Sequence, residues 1–90
     1  MSKNREEDFS SLITFSTFIL SLNTAALVHL GELPDPVTNK KQVNLTLAKH
    51  TIDTLEMLKE KTKGNLSVEE EKLLQSILYE LKLKFLKLVE

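Results

Sequence analysis

Cysteine is absent from this chain of 90 residues, and glycine and proline each occur only twice. Without cysteine the protein can form no disulfide bond, thiolate metal site or cysteine nucleophile, which fits a cytoplasmic setting. Two glycines are too few for a glycine-rich phosphate cradle, so a nucleotide-binding loop is excluded. The net charge of −1 offers no clustered positive field to nucleic acid. We therefore expect no cofactor and no nucleic-acid partner.

Charge is also absent locally. Residues 9–31 contain no Asp, Glu, Lys or Arg, although 28% of the chain is charged. A surface helix normally carries a charged side, so this segment is expected to be buried nearly all round by lipid, by the rest of the chain or by copies of itself. Eight Ser, Thr or Asn residues within it, and no excess of positive charge on one side, argue against a membrane span. The acidic residues just before it argue against a secretory signal.

The periodicity of apolar residues predicts an all-α fold in a single helical domain, residues 1–90, with residues 1–8 disordered. The first helix is expected to be capped by Asp8 or Ser10 and to end at Gly31. The second and third are expected to form a hairpin whose core is completed by oligomerisation. The three helices are predicted at about residues 9–30, 45–63 and 68–89.

Local end signals place the other helix boundaries. Asn44 is a good N-cap for the second helix, and Gly64 stops it. Ser67 and Glu70 form a capping box before the third helix. On that helix Glu80 and Lys84 are spaced to pair with each other.

Each of these two helices has one apolar face at three- and four-residue steps, which predicts its buried side. The predicted core positions are Leu45, Ala48, Ile52, Leu55 and Leu58 on the second helix, and Leu74, Leu78, Leu81, Phe85 and Leu88 on the third.

A stripe of small hydroxyl residues runs along the first helix at steps of four and three. Small side chains let two backbones approach closely, and each hydroxyl can bond to the carbonyl one turn back. The stripe therefore predicts a seam between subunits; the alternative is that it faces solvent while the rest of the helix is core. The seam residues are Ser10, Thr14, Thr17, Ser21 and Thr24.

Two further surfaces are predicted to make contacts. Tyr79, Leu83 and Leu86 form a second apolar stripe on the far side of the third helix, which a hairpin partner does not need. The segment after Gly31 holds two prolines, and a stiff loop suits recognition. Its candidate contact residues are Glu32, Leu33, Asp35 and Val37.

Catalytic and metal-binding constellations are not evident. His29 lies near Glu32 and Asp35, but their spacing matches no metal-ligand pattern and a histidine at a helix end usually caps it. His50 is expected on the polar side of the second helix. No nucleophile, base and orienting group can be proposed together, so we expect no catalytic residue, no metal site and no enzyme activity.

The order of several motifs resembles that of a known family. The motifs are the Ser/Thr-interrupted helix ending in His29-Leu30-Gly31, the Leu33-Pro34-Asp35-Pro36 loop, the Ala48…Thr51-Ile52-Asp53 helix, and Lys61-Thr62-Lys63-Gly64-Asn65-Leu66 before the last helix. Over about residues 9–81 the chain resembles small bacterial proteins grouped as domain of unknown function 1844. The resemblance implies a small all-helical bacterial protein and no established activity. Asn39 stands where the family more often has Gly, which fits a left-handed turn.

Taken together, the sequence predicts a non-enzymatic, cytoplasmic helical protein that binds itself as a homo-oligomer and serves as an interaction or scaffold module, with a further, unidentified protein partner possible. Two alternatives stay open. One is a membrane-associated accessory subunit anchored by the first helix. The other is a small-molecule binder with an apolar cavity between the helices, opening at the loop of residues 31–43.

Overall fold

The computed structural model describes residues 13–90, and these residues form three helices. They are α1 (Phe15–His29), α2 (Leu45–Lys61) and α3 (Val68–Val89). Within the described range the only β-type pairing is an isolated antiparallel bridge between Leu30 and Val43. The predicted all-α fold is therefore confirmed.

The start of α1 differs from the prediction. Thr14 has an extended backbone (φ −129°, ψ 164°) and caps the helix, because its hydroxyl accepts a hydrogen bond from the Thr17 N–H at 3.0 Å. The Thr17 hydroxyl accepts in return from the Thr14 N–H at 3.0 Å, which completes a capping box. A helix running unbroken from about residue 9 is therefore wrong, since Thr14 offers the backbone a better-satisfied start. The predicted caps Asp8 and Ser10 lie outside the described residues.

The end of α1 follows the prediction. Gly31 takes φ +79°, in the left-handed region, and its N–H donates to Val28 O at 3.0 Å. The N–H of Glu32 donates to Leu27 O at 2.9 Å, so the last carbonyls are satisfied as in a Schellman motif. The chain then returns, and Asn44 N–H donates to His29 O at 2.7 Å. The two ends of the long loop are thus fastened together.

The other helix boundaries are set by local capping. The Asn44 side chain accepts from the Leu47 N–H at 3.0 Å, so the predicted cap of α2 is confirmed. Its last helical residue is Lys61, two residues before the predicted end, and Gly64 follows at φ +85°. The Ser67–Glu70 capping box of α3 is also confirmed, with the reciprocal hydrogen bonds at 3.1 and 2.8 Å.

All three helices share one apolar core, and each helix contacts the other two. The predicted faces of α2 and α3 supply most of it, although Leu88 is exposed and Ile77, which was not predicted, is buried. The contribution of α1 is narrow, since only Ile19 and Ala26 are fully buried there. The buried residues are Ile19, Ala26, Leu30, Ala48, Ile52, Leu55, Leu74, Ile77, Leu78 and Leu81.

Candidate functional site

The outer side of α1 is exposed and carries no charge. Phe18 and Leu20 keep 48% and 44% of their surface in contact with solvent, although both are large and apolar. The expectation that this helix is buried nearly all round is therefore not met within one chain. We call this side the uncharged face; it consists of Thr14, Thr17, Phe18, Leu20, Ser21 and Thr24.

The hydroxyls of the uncharged face bond within their own helix. Ser21 Oγ donates to Phe18 O at 2.6 Å, and Thr24 Oγ1 donates to Leu20 O at 3.1 Å. Thr14 and Thr17 bond to each other in the capping box. The predicted bonding to a carbonyl about one turn back is confirmed for Ser21 and Thr24. Because these protons are already engaged, a second surface could cover them without leaving a buried donor unsatisfied.

Four of the five predicted seam residues lie together on this face, and Ser10 lies outside the described residues. The same placement is consistent with a solvent-facing stripe, so the seam stays a prediction. The exposure of Phe18 and Leu20 was not predicted, because the whole uncharged segment is expected from the sequence to be buried nearly all round. The hydroxyl stripe marked one side of the helix, but without charged residues the sequence did not show whether that side faces solvent or a second subunit.

The predicted stripe on α3 is exposed along its whole length. Tyr79 retains 65% of its surface and Leu86 56%, and Leu83 is also exposed. Val68, one residue after the helix cap, is exposed as well and extends the stripe toward the start of the helix. These four residues, which we call the α3 stripe, point away from the side that buries Leu74, Leu78 and Leu81.

The loop after α1 is ordered by Asp35. Its Oδ1 accepts hydrogen bonds from the N–H groups of Val37 at 2.7 Å and Thr38 at 3.2 Å. Its backbone pairs with Asn39 and Lys40, and Asn39 takes the left-handed φ of +59° expected for the turn. Asp35 therefore stabilises the loop, whereas Val37 is 90% exposed at its tip and Leu33 is exposed beside it.

Glu32 joins the loop to α3. The Lys84 ammonium donates to its Oε1 at 2.8 Å, although the two residues are 52 positions apart. This hydrogen bond and the charge of Lys84 lower the pKa of Glu32, and Glu32 raises the pKa of Lys84 in the same way. The sequence indicated Glu80 as the partner of Lys84, because only neighbours along a helix can be read from spacing. Glu32 therefore holds the start of the loop against α3.

The cavities among the described residues are small and open. One of about 290 Å³ lies between the end of α2 and the start of α3, lined by residues that include Lys59, Lys63, Leu66 and Leu74. It contains no residue of the loop at which a cavity was expected to open. A second, of about 210 Å³, meets that loop only at Glu32. Pockets that enclose small molecules usually hold about 300–1,000 Å³.

Metal ligands do not converge in residues 13–90, where no three His, Asp or Glu side chains are grouped to hold an ion. Glu32 is paired with Lys84, and Asp35 accepts from backbone N–H groups, so neither is directed at His29. No helix in the described range is long and apolar enough to span a membrane.

Comparison with known protein families finds a match over most of the chain. The family described as "Domain of unknown function (DUF1844)" matches residues 12–87. The chain belongs to this family. The match spans α1, α2, the loop and all but the last two residues of α3. No curated protein and no solved structure matches the chain. The exposed surfaces of this DUF1844 domain are therefore the main evidence about its function.

Proposed function

We propose that this protein is a non-enzymatic helical module that associates with copies of itself through the uncharged face of α1. The observation that carries the proposal is the exposure of Phe18 and Leu20 on a helix side without any charged residue. Exposure of such a side to water is unfavourable. The side has no charged group for water to solvate, and its hydroxyl protons already bond within the helix.

The free-energy gain from covering this face is substantial for a small domain. Hiding about half of a Phe and half of a Leu side chain contributes about 2 kcal/mol per copy. The small residues Ser21 and Thr24 lie beside them and permit close approach of a second helix. Burial of this face removes no charged group from water, so it avoids the cost of desolvating a charge.

A second copy suits this face better than the other sides of the same chain do. The exposed side of α2 carries the Lys49–Asp53 ion pair, so packing it against the uncharged face would remove charges from water. Contact between two uncharged faces removes none. It also matches the commonest form of protein assembly, a two-fold contact of identical patches.

The titratable groups of the described residues support a binding role over catalysis. His29 ends α1 and His50 is exposed on α2, so the two histidines lie on different elements. No histidine lines the 290 Å³ cavity. The lack of cysteine supports a cytoplasmic location, and the family resemblance supports a bacterial source. The cytoplasmic location and the bacterial source are both part of the proposal.

Analytical ultracentrifugation of a charge insertion tests the proposal. The wild-type chain is expected to sediment at micromolar concentration as a species larger than its 10.3 kDa monomer. Ser21→Glu places a charge in the middle of the uncharged face, and we expect it to abolish the α1 contact and lower the mass of the sedimenting species, with the helical circular dichroism intact. His50→Glu, on the exposed side of α2, is the matched control. A monomeric wild type, or a Ser21→Glu variant that assembles normally, would disprove the proposal.

A second substitution tests whether the backbones of two α1 helices approach each other closely at the hydroxyl residues of the uncharged face. Ser21→Leu overpacks a close seam and should weaken assembly by about 1–3 kcal/mol per site. If the contact instead rests on Phe18 and Leu20, Ser21→Leu should leave the oligomer and the urea midpoint unchanged. Ile19→Ser should damage folding in either case, because Ile19 is fully buried.

A further inference from the structure

The turn between α2 and α3 builds one side of a cavity. The chain turns at Gly64, which has a left-handed backbone (φ +85°), and Ser67 caps α3 three residues later. The last turn of α2 and the first two turns of α3 are thereby placed on either side of a gap. This gap is the open cavity of about 290 Å³, and none of the described residues of α1 or of the long loop lines it.

The inner wall of the cavity is apolar. Leu74 lines it and is only 1% exposed, because its side chain also belongs to the core. Leu66 lies beside it, half-buried and packed against the same core. The Thr62 hydroxyl donates to Leu58 O at 2.6 Å, so its proton is already engaged within α2. This wall therefore suits the apolar part of a ligand.

Charged residues of both signs line the rest of the cavity. Lys59, Glu60 and Lys63 come from the end of α2 and the turn, Glu71 comes from α3, and all four are exposed. Within residues 13–90 none of the four forms an ion pair, although three other lysines do. The carboxylate of Glu71 accepts only a long hydrogen bond of 3.5 Å, from the Gln75 amide. Opposite charges thus border one cavity without neutralising each other by contact.

We propose that this cavity binds a free α-amino acid with an apolar side chain, of the size of leucine or methionine. The carboxylate of the ligand contacts the ammonium groups of Lys59 and Lys63, and its ammonium group contacts Glu71. Its side chain lies against Leu66 and Leu74. The ligand then joins charges that the chain itself leaves unpaired, and it covers the apolar wall.

The balance of charge favours a zwitterion over other small molecules. Two lysines and two glutamates line the cavity, so a multiply charged anion would meet two carboxylates and a polyamine would meet two ammonium groups. Size restricts the ligand as well. A cavity of about 150 Å³ can hold benzene, so 290 Å³ has room for an amino acid and not for a nucleotide.

This site goes beyond the proposed function and is independent of it, because no described residue of α1 lines the cavity. The wild-type chain and the Ser21→Glu variant should therefore bind the amino acid with the same affinity. Loss of the α1 contact and loss of ligand binding are then separate results.

Titration of ¹⁵N-labelled full-length protein with L-leucine tests the site by nuclear magnetic resonance. We expect saturable shifts of backbone amides in residues 59–66 and 71–75, with a dissociation constant on the order of 1 mM, because exposed charges contribute little and one side chain is partly buried. Glycine lacks the apolar group and should bind at least about tenfold more weakly. Isocaproate lacks the ammonium group and leucine methyl ester lacks the carboxylate, so each should bind about two- to fivefold more weakly.

Charge reversals with matched controls assign the contacts to residues. Lys63→Glu and Glu71→Lys should each raise the dissociation constant of L-leucine by about fivefold or more, because an attractive contact becomes repulsive. Lys61→Glu and Glu69→Lys make the same changes on the same two elements at positions that do not line the cavity. Both controls should stay within about twofold of wild type. Circular dichroism and urea midpoints verify that all four variants fold.

Four results would overturn the proposal. The first is the lack of saturable shifts with L-leucine, L-methionine and L-phenylalanine, each up to about 20 mM. The second is binding of isocaproate or of leucine methyl ester as tight as that of L-leucine. The third is a set of shifts that lies outside the residues lining the cavity. The fourth is an equal effect of the control and cavity substitutions on binding.

Discussion

Gly31→Ala tests the joint between α1 and the loop, and Gly64→Ala is its natural control. Both glycines have left-handed backbones, with φ +79° and +85°. They differ in their surroundings. A Cβ on Gly31 would lie 2.9 Å from Val43 Cγ2, whereas a Cβ on Gly64 would meet nothing within 4 Å. The pair therefore separates the cost of the backbone conformation from the cost of the contact.

The expected loss of unfolding free energy is the sum of the cost of the left-handed backbone and the cost of the contact with Val43. A left-handed backbone costs a residue with a Cβ about 1–2 kcal/mol, so Gly64→Ala should lower the free energy of unfolding by about 1 kcal/mol. Gly31→Ala carries the same cost and must also displace the Val43 side chain, whose branched Cβ restricts its rotamers. An off-rotamer side chain adds about 1 kcal/mol. We expect Gly31→Ala to lose about 2–3 kcal/mol in total.

Urea denaturation at one fixed protein concentration measures these losses, because association makes stability depend on concentration. The decisive variant is Gly31→Ala combined with Val43→Ala, which removes Cγ2 and should recover about 1 kcal/mol relative to the sum of the single variants. Equal losses for the two glycines, or no recovery in the double variant, would refute the reasoning. The Leu30–Val43 bridge would then hold the loop less tightly than the geometry indicates.

Two further predictions concern the loop. Because the pKa of Glu32 is lowered in the folded protein, its pairing with Lys84 is complete above the ordinary glutamate pKa of 4.5 and is lost as the pH falls through the lower folded-state value. Glu32→Gln should therefore lose less stability than wild type on acidification below that pH, in a series of urea midpoints with Glu60→Gln as control; an unchanged slope would contradict the pairing. Asp35→Ala should lower the free energy of unfolding by about 1 kcal/mol, because two backbone N–H groups lose their acceptor. Val37→Ser, at the exposed tip, should stay within about 0.5 kcal/mol of wild type, and equal effects of the two would contradict an ordering role for Asp35.

Helix ends with a side-chain cap could be predicted from the sequence alone. The Asn44 cap, the Ser67–Glu70 box and the left-handed Gly31 all follow from groups within five residues of one another. The start of α1 was mispredicted for a related reason. Thr14 and Thr17 form a capping box without an acidic residue, and several Ser and Thr residues nearby offered competing starts.

Long-range pairs could not be read from the sequence. Lys84 was expected to pair with Glu80 one turn away, and the tertiary structure brings Glu32 to it across the packed helices. The Leu30–Val43 bridge could not be predicted either, because the length of the loop does not show which residues at its two ends pair. Such contacts depend on how the helices pack, and helical spacing carries no information about that.

Local chemistry thus determined the all-α fold, most helix ends and the buried sides of α2 and α3, because charged residues mark the opposite side of both helices. Only the tertiary structure decided which side of α1 faces outward. No charged residue marks an outward side of that helix, and the packed structure buries Ile19 and Ala26. Phe18 and Leu20 are left exposed because they lie on the side of α1 opposite to these buried residues.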